Sequence, residues 1–192
     1  MITGVILAGG QAIRMGGKDK GLMELDGKPL YQLILSRLAP QVDKIIINAN
    51  RNQVIYQQSG YPVVNDINKN YAGPLAGVLT GLVTVKTEWV IFVPCDVPAL
   101  PLDLVSRLWQ GRGDKKAAYA TDGNREHPTL LLIHTNLASA LDEYLAKGDR
   151  KLMLFLNKID AQSVSFSDQP QAFRNFNTTD DLQLWHKDRY DI

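Results

Sequence analysis

The sequence predicts an α/β fold: a doubly wound, mostly parallel sheet with helices on both faces. Three observations carry this. Short β-branched runs alternate with helical patterns along residues 1–112. Those runs are apolar throughout, as strands covered on both faces require. A glycine-rich, basic loop follows the first run directly, where sheets of this kind bind their ligands.

The elements follow in order. "ITGVILA" (2–8) reads as a buried strand. "PLYQLILSRLAP" (29–40) sets Leu30, Leu33, Ile34 and Leu38 at helical spacing. "KIIINAN" (44–50) is a second buried strand, and "NQVIYQQSG" (52–60) suits a short helix closed by Gly60. "YPVVND" (61–66) is a third strand. "GPLAGVLTGLVTV" (73–85) is helical, with Pro74 near its start. "EWVIFVPCD" (88–96) is the most apolar strand, followed by a helix over 100–110. Beyond residue 113, "KAAYAT" and "TLLLIH" read as strands suited to antiparallel pairing. "LASALDEYLAKG" and "RKLMLFLNKI" read as consecutive helices. "AQSVSFSD" alternates as an edge strand does, and "TTDDLQLWHKD" predicts a terminal helix capped by Thr178 or Thr179. The whole is Rossmann-like. One domain, 1–192, is expected, with a first half (1–112) that carries the parallel strands and a second half (113–192) that extends the sheet and forms one wall of a cleft.

Composition narrows the chemistry. A chain of 192 residues with 45% hydrophobic residues can bury a sizeable core. A net charge of +1 argues against a general polyanion binder, so no nucleic acid partner is expected. Cys95 is the only cysteine, which excludes an internal disulfide, and the 3 histidines share no zinc-ligand spacing. The opening "MITGVILAGG" lacks the charged start of a signal peptide, and no apolar run is long enough to span a bilayer. The expectation is a cytoplasmic protein without a membrane partner.

The loop Leu7–Gly21, "LAGGQAIRMGGKDKG", holds five glycines and three basic residues. It fails the Walker pattern, having no Ser or Thr after either lysine, and it fails G-x-G-x-x-G by spacing. Amides at Gly9 and Gly10 can form an anion nest. Arg14, Lys18 and Lys20 can neutralise phosphates. A solvated surface loop is the alternative. The strand-end sieve adds Asn48–Asn50, Asn65–Asp66 and Cys95–Asp96, which leave the second, third and fourth strands. Asp96, at the end of the most buried strand, is the foremost of these as a functional residue, ahead of a turn role before Pro98. Cys95 reads as a small buried residue.

"VILAGGQAIRMGGKDKGLMELDGKPL" resembles the signature of nucleotidyltransferases that activate small molecules with a nucleoside triphosphate. Together with "VNDINKNYAGPLAG", "PCDVP", "REHPTLLL" and "NFNTTDDL", in that order, the chain resembles the molybdenum cofactor guanylyltransferase family over essentially its whole length. It departs from the family pattern at "GDRK" (148–151) and "NTTDD" (177–181). The resemblance implies the nucleotide-diphospho-sugar transferase type of fold. It also implies Mg2+-dependent transfer of GMP from GTP to molybdopterin, with pyrophosphate as the other product. It places nucleotide contacts on Leu7, Ala8, Gly9, Lys20, Asn48, Asp66 and Asp96, with Asp96 also binding the metal. Lys20, Asp96 and Arg14 then carry the catalysis. Asn48 and Asp66 can recognise the base or ribose, or can serve as turn residues. His127, Arg150, Lys151, Asn175 and Asn177 are acceptor-side candidates; for His127 a structural hydrogen bond is equally open. Molybdoenzymes, their chaperones and other cofactor-synthesis proteins are the implied partners. The alternatives are a cytidylyltransferase or sugar-nucleotide pyrophosphorylase of the same superfamily, and a nucleotide-binding assembly module without turnover.

Overall fold

The computed structural model describes residues 1–9, 19–176 and 181. Its elements in chain order are β1 (Ile2–Leu7), β2 (Glu24–Leu25), β3 (Lys28–Pro29), α1 (Leu30–Leu38), β4 (Lys44–Asn48), α2 (Gln53–Gln57), β5 (Val63–Val64) and α3 (Pro74–Thr84). There follow β6 (Trp89–Pro94), α4 (Leu104–Gly111), β7 (Ala117–Thr121), β8 (Glu126–His134), α5 (Ala138–Ala146), α6 (Leu152–Lys158) and β9 (Gln162–Ser165).

Seven strands form one sheet in the order β5-β4-β1-β6-β8-β7-β9. The first four run parallel. β8 is antiparallel to both β6 and β7, and β9 pairs parallel to β7 at the edge. The chain winds outward from β1 through β4 to β5, then returns across α3 to lay β6 on the other flank of β1. That reversal is the topological switch point, and a crevice opens beyond the carboxyl ends of β1 and β6.

Two apolar layers clasp the sheet, and strand alternation divides residues between them. Ile6, Ile91 and Leu132 face the layer holding Tyr31, Ile34 and Leu38 of α1, Tyr56 of α2, and Leu104 and Leu108 of α4. Val5, Phe92 and Leu131 face the layer of α3, α5 and α6, including Leu79, Leu141 and Phe155. Both faces are covered, which is why β1, β4 and β6 read as continuous apolar runs. A third, small cluster of Leu25, Leu30 and Phe176 joins the β2–β3 hairpin to the segment after β9.

Differences from the sequence reading have local causes. The β2–β3 hairpin was not foreseen; it turns on Asp26 (φ 53) and Gly27 (φ 79), the two-residue Asp-Gly signature of a type I′ turn. β5 is two residues rather than six, and its N-terminal flank contributes the Pro62 carbonyl, which accepts from Ile47 N. α4 begins at Leu104, not 100, with Asp103 as its N-terminal flank. The terminal helix expected at 178–188 falls outside the described residues, apart from Asp181.

Candidate active site

A cavity of about 760 Å³ lies at the carboxyl edge of the parallel strands. Leu7, Ala8 and Gly9 line it from the end of β1, Asn48 and Asn50 from β4, Asn65 and Asp66 from β5, and Pro94, Cys95 and Asp96 from β6. Asp19 and Lys20 close one side; Lys69, Tyr71, Ala72, Gly73, Pro74 and Gly77 close another, and Thr129 of β8 completes it. Each strand releases its chain at the same edge, so short polar residues distant in sequence converge there.

Lys20 and Asp96 face one another. Lys20 Nζ stands 3.4 Å from Asp96 Oδ2, with side chains 31% and 20% exposed. A pair of that length and exposure is weak, on the order of 1 kcal/mol or less. It therefore opens easily, freeing an ammonium for phosphate oxygens and a carboxylate for a hard cation. The Asp96 backbone is held independently: Phe176 N donates to its carbonyl at 2.7 Å.

Opposite lies an amide–carboxylate cluster. Asn48 Nδ2 donates to Asp66 Oδ1 and Asn50 Nδ2 to Asp66 Oδ2, both at 2.9 Å. Asn50 Oδ1 accepts from Asp66 N at 2.8 Å, and Asn50 Nδ2 also reaches Gly9 O at 3.3 Å. Each carboxylate oxygen retains a further acceptor site for a hydroxyl or amine. Asn48 is only 2% exposed, so it holds Asp66 from beneath. Two glycines make room for it. A Cβ on Gly77 would lie 2.5 Å from Asn48 Oδ1 and 2.8 Å from Leu7 Cδ2; one on Gly9 would lie 2.9 Å from Asn50 Nδ2 and 3.1 Å from Asn48 Oδ1. Beyond β5 the loop is tied to α3, because Ile67 N donates to Thr80 Oγ1 at 3.0 Å. Gly73 and Pro74 line the cavity, so the N-terminus of α3 lies there, where its dipole favours an anion.

Cys95 is buried, and burial followed by the Asp96 charge pushes its thiol up to about 12. It is a poor nucleophile. Among the described residues no three His, Cys, Asp or Glu side chains assemble as a metal cage. The Asp96 carboxylate, beside Lys20 in the cavity, is the kind of hard oxygen donor of which a cation such as Mg2+ takes only one or two from protein.

Of the sequence-derived candidates, the structure gathers Leu7, Ala8, Gly9, Lys20, Asn48, Asp66 and Asp96 around one cavity. Gly10, Arg14, Lys18 and Asn177 lie outside the described residues. His127 is not part of the lining: its Nε2 meets Asp122 Oδ2 at 2.8 Å and its ring packs on Phe173 at 4.9 Å. Arg150 Nη1 donates to Leu145 O and Asp149 O, both at 2.7 Å, while its guanidinium rests 5.2 Å from the Tyr71 ring. Lys151 is exposed at the start of α6, and Asn175 is half-buried beside Phe176. Asp19 and Tyr71 were not singled out from sequence, and Asn50 entered only as the end of the stretch that leaves the second strand, with no role given to it. Asp19, the lone acid in "GKDKG", and Asn50, two residues past Asn48, were visible signals; Tyr71 had none.

The profile of the MobA-like NTP transferase domain matches residues 4–163. Proteins named molybdenum cofactor guanylyltransferase from Serratia proteamaculans and Yersinia pestis are each 57% identical over 188 residues, 98% of this chain and 95% and 96% of theirs. Among solved structures, molybdopterin-guanine dinucleotide biosynthesis protein A from Archaeoglobus fulgidus superposes with a TM-score of 0.81 at 19% identity, covering 99% of this chain and 100% of that one. The 4-diphosphocytidyl-2C-methyl-D-erythritol synthase of Anaerococcus prevotii does so at 0.75 and 13% identity, covering 96% and 93%. These two likenesses establish the shared fold of nucleotidyltransferases.

Proposed function

We propose a division of labour in this cavity from the premise that the chain belongs to the molybdenum cofactor guanylyltransferase family. Its reaction is the transfer of GMP from GTP to molybdopterin, giving molybdopterin guanine dinucleotide and pyrophosphate. The bond that forms joins an acceptor phosphate oxygen to the α-phosphorus of GTP. The bond that breaks joins that phosphorus to the oxygen bridging to the β-phosphate, and its electrons leave with pyrophosphate.

The attacking group is a phosphate monoester with a second pKa of about 6, already ionised at neutral pH. No general base is needed, and His127, engaged with Asp122, is not placed as one. The difficulty is bringing two anions together in line. Lys20 is assigned to the triphosphate, where its ammonium offsets charge on the α-phosphate and the leaving group. Arg14, within the glycine loop, is assigned to the same task. Asp96 is assigned as the protein ligand of Mg2+, whose contribution when bound is Lewis-acid neutralisation of phosphate oxygens. Asp66, held by Asn48 and Asn50, is the fixed acceptor for the nucleoside; Leu7, Ala8, Gly9 and Gly10 supply backbone against it. The half from residue 113 onward, with Arg150, Lys151, Asn175 and Asn177, is assigned to the acceptor.

The facing Lys20–Asp96 pair at the switch point carries this reading. Pyrophosphate release in the presence of Mg2+, molybdopterin and each nucleoside triphosphate in turn tests it. Release with GTP far above the other three, slowed by about 10²-fold or more but still measurable in Asp96→Asn or Lys20→Ala, is expected. Equal release with CTP would favour a cytidylyltransferase, and binding without release would favour an assembly module.

A further inference from the structure

Asp19 is a buried carboxylate, 7% exposed. Oδ1 accepts from the Tyr56 hydroxyl at 2.7 Å and from Gly21 N at 3.2 Å; Oδ2 accepts from Asn52 Nδ2 at 3.2 Å. Among the described residues no cation forms an ion pair with it. An ionised carboxylate removed from water is destabilising unless donors surround it, and three neutral donors do so here. The next residue is Lys20, whose ammonium is directed to Asp96 instead. The residue after that, Gly21, has no room for a Cβ, which would strike the same Tyr56 hydroxyl. One phenol oxygen from α2 thus meets the residues on both sides of Lys20. That oxygen is itself fixed by the core: Tyr56 is fully buried, its ring edge-on to Tyr31 at 4.9 Å. Burial, then the hydrogen bond to Asp19, pushes its pKa far up, so it donates across any working pH.

We propose that Tyr56 is a positioning residue for Lys20: its hydroxyl occupies Asp19 and closes over Gly21, fixing the turn Lys20–Leu22 and keeping the Lys20 ammonium off the adjacent carboxylate and facing Asp96. This rests on the assignment of Lys20 to the triphosphate. Tyr56→Phe keeps the ring and removes only the donor. Asp19 Oδ1 is then under-satisfied in a buried place, and the ammonium one residue away is the replacement at hand. Lys20 drawn back to Asp19 no longer meets the phosphates.

The test is a double-mutant cycle on single-turnover rates, with Tyr56→Phe, Lys20→Ala and both together, each checked by thermal unfolding. Tyr56→Phe should slow turnover by about tenfold, the order expected for a lost hydrogen bond to a charged group. In the Lys20→Ala background the same change should have little further effect. Equal slowing in both backgrounds, with Lys20→Ala impaired, would mean that Tyr56 only supports the fold and would overturn the proposal. So would a Tyr56→Phe enzyme as fast as the unaltered one. A fully active Lys20→Ala would refute the assignment of Lys20 itself, and positioning through it falls as well. Should Tyr56→Phe fail to fold, Asn52→Ala replaces it: Asn52 is exposed, and losing its bond to Asp19 Oδ2 should give a smaller slowing that likewise vanishes without Lys20; slowing that persists there overturns the proposal.

Discussion

Gly77→Ala sets two effects of opposite sign against each other. Gly77 lies inside α3, where alanine is favoured over glycine by about 1 kcal/mol. Its added methyl, however, would sit 2.5 Å from Asn48 Oδ1 and 2.8 Å from Leu7 Cδ2. Neither neighbour can yield freely. Leu7 ends β1, paired on both sides, and Asn48 is pinned by its bond to Asp66 Oδ1 at 2.9 Å. Overpacking of this kind costs about 1–3 kcal/mol. A displaced hydrogen bond to a charged acceptor adds about 1.5–3 kcal/mol when lost outright. The clash wins, and a net loss of about 2 kcal/mol is expected, roughly 4–8 °C in Tm for a chain of this size. Gly81→Ala is the control. It belongs to the same helix and its methyl would lie 2.5 and 2.7 Å from Phe92, but the side chains it would meet, Phe92 and Val5, are apolar and neither belongs to the Asp66 cluster. Both variants should lose stability in thermal and urea unfolding. Only Gly77→Ala should also weaken GTP binding, by about tenfold for about 1.4 kcal/mol transmitted through Asn48 to Asp66. A stabilised Gly77→Ala would refute the packing reasoning. Equal GTP affinity in the two variants would refute the role given to Asn48.

Asp96→Asn should lower turnover by about 10²–10³-fold, the scale of losing one electrostatic contact to a transition state, with the circular dichroism spectrum unchanged; near-normal rates at low Mg2+ would remove Asp96 from the metal. Gly9→Ala should lower the efficiency with GTP more than any residual efficiency with CTP, because its methyl presses on Asn50 and Asn48, the residues that orient Asp66; an unchanged ratio in a folded protein would leave Gly9 as a turn residue only. The Asp122 carboxyl is held down at about 2, first by the His127 hydrogen bond and then by the Arg125 and Asn124 amides. A depressed folded pKa contributes stability that is complete above the ordinary value of about 3.9 and is lost as pH falls toward the folded one. Acid unfolding should therefore steepen between about pH 4 and pH 2, and Asp122→Asn should flatten that segment; identical profiles would show that the pair does not persist in solution.

Much of the architecture was legible because its determinants are local. Runs such as "KIIIN" and "WVIFV" declare buried strands by composition, and Leu30, Ile34 and Leu38 declare a helical face by spacing. From strand order alone, the rule that ligands lie beyond parallel strand ends brought Gly9, Asn48, Asp66 and Asp96 into one list, and they do share one cavity. The Asp-Gly turn of the β2–β3 hairpin was equally local and was read only as part of a longer motif. What the tertiary structure alone decided are the partnerships. Nothing in "GKDKG" says that Asp19 is buried, since its side-chain donors come from Asn52 and Tyr56, 33 and 37 residues on. Nothing in "NAN" says that both amides close on Asp66 or that Gly77, three elements later, makes the space. Propensity and periodicity report which face of an element is apolar. Which polar side chains meet across elements depends on strand register and helix docking, and those are settled only when the two layers of the core pack against the sheet.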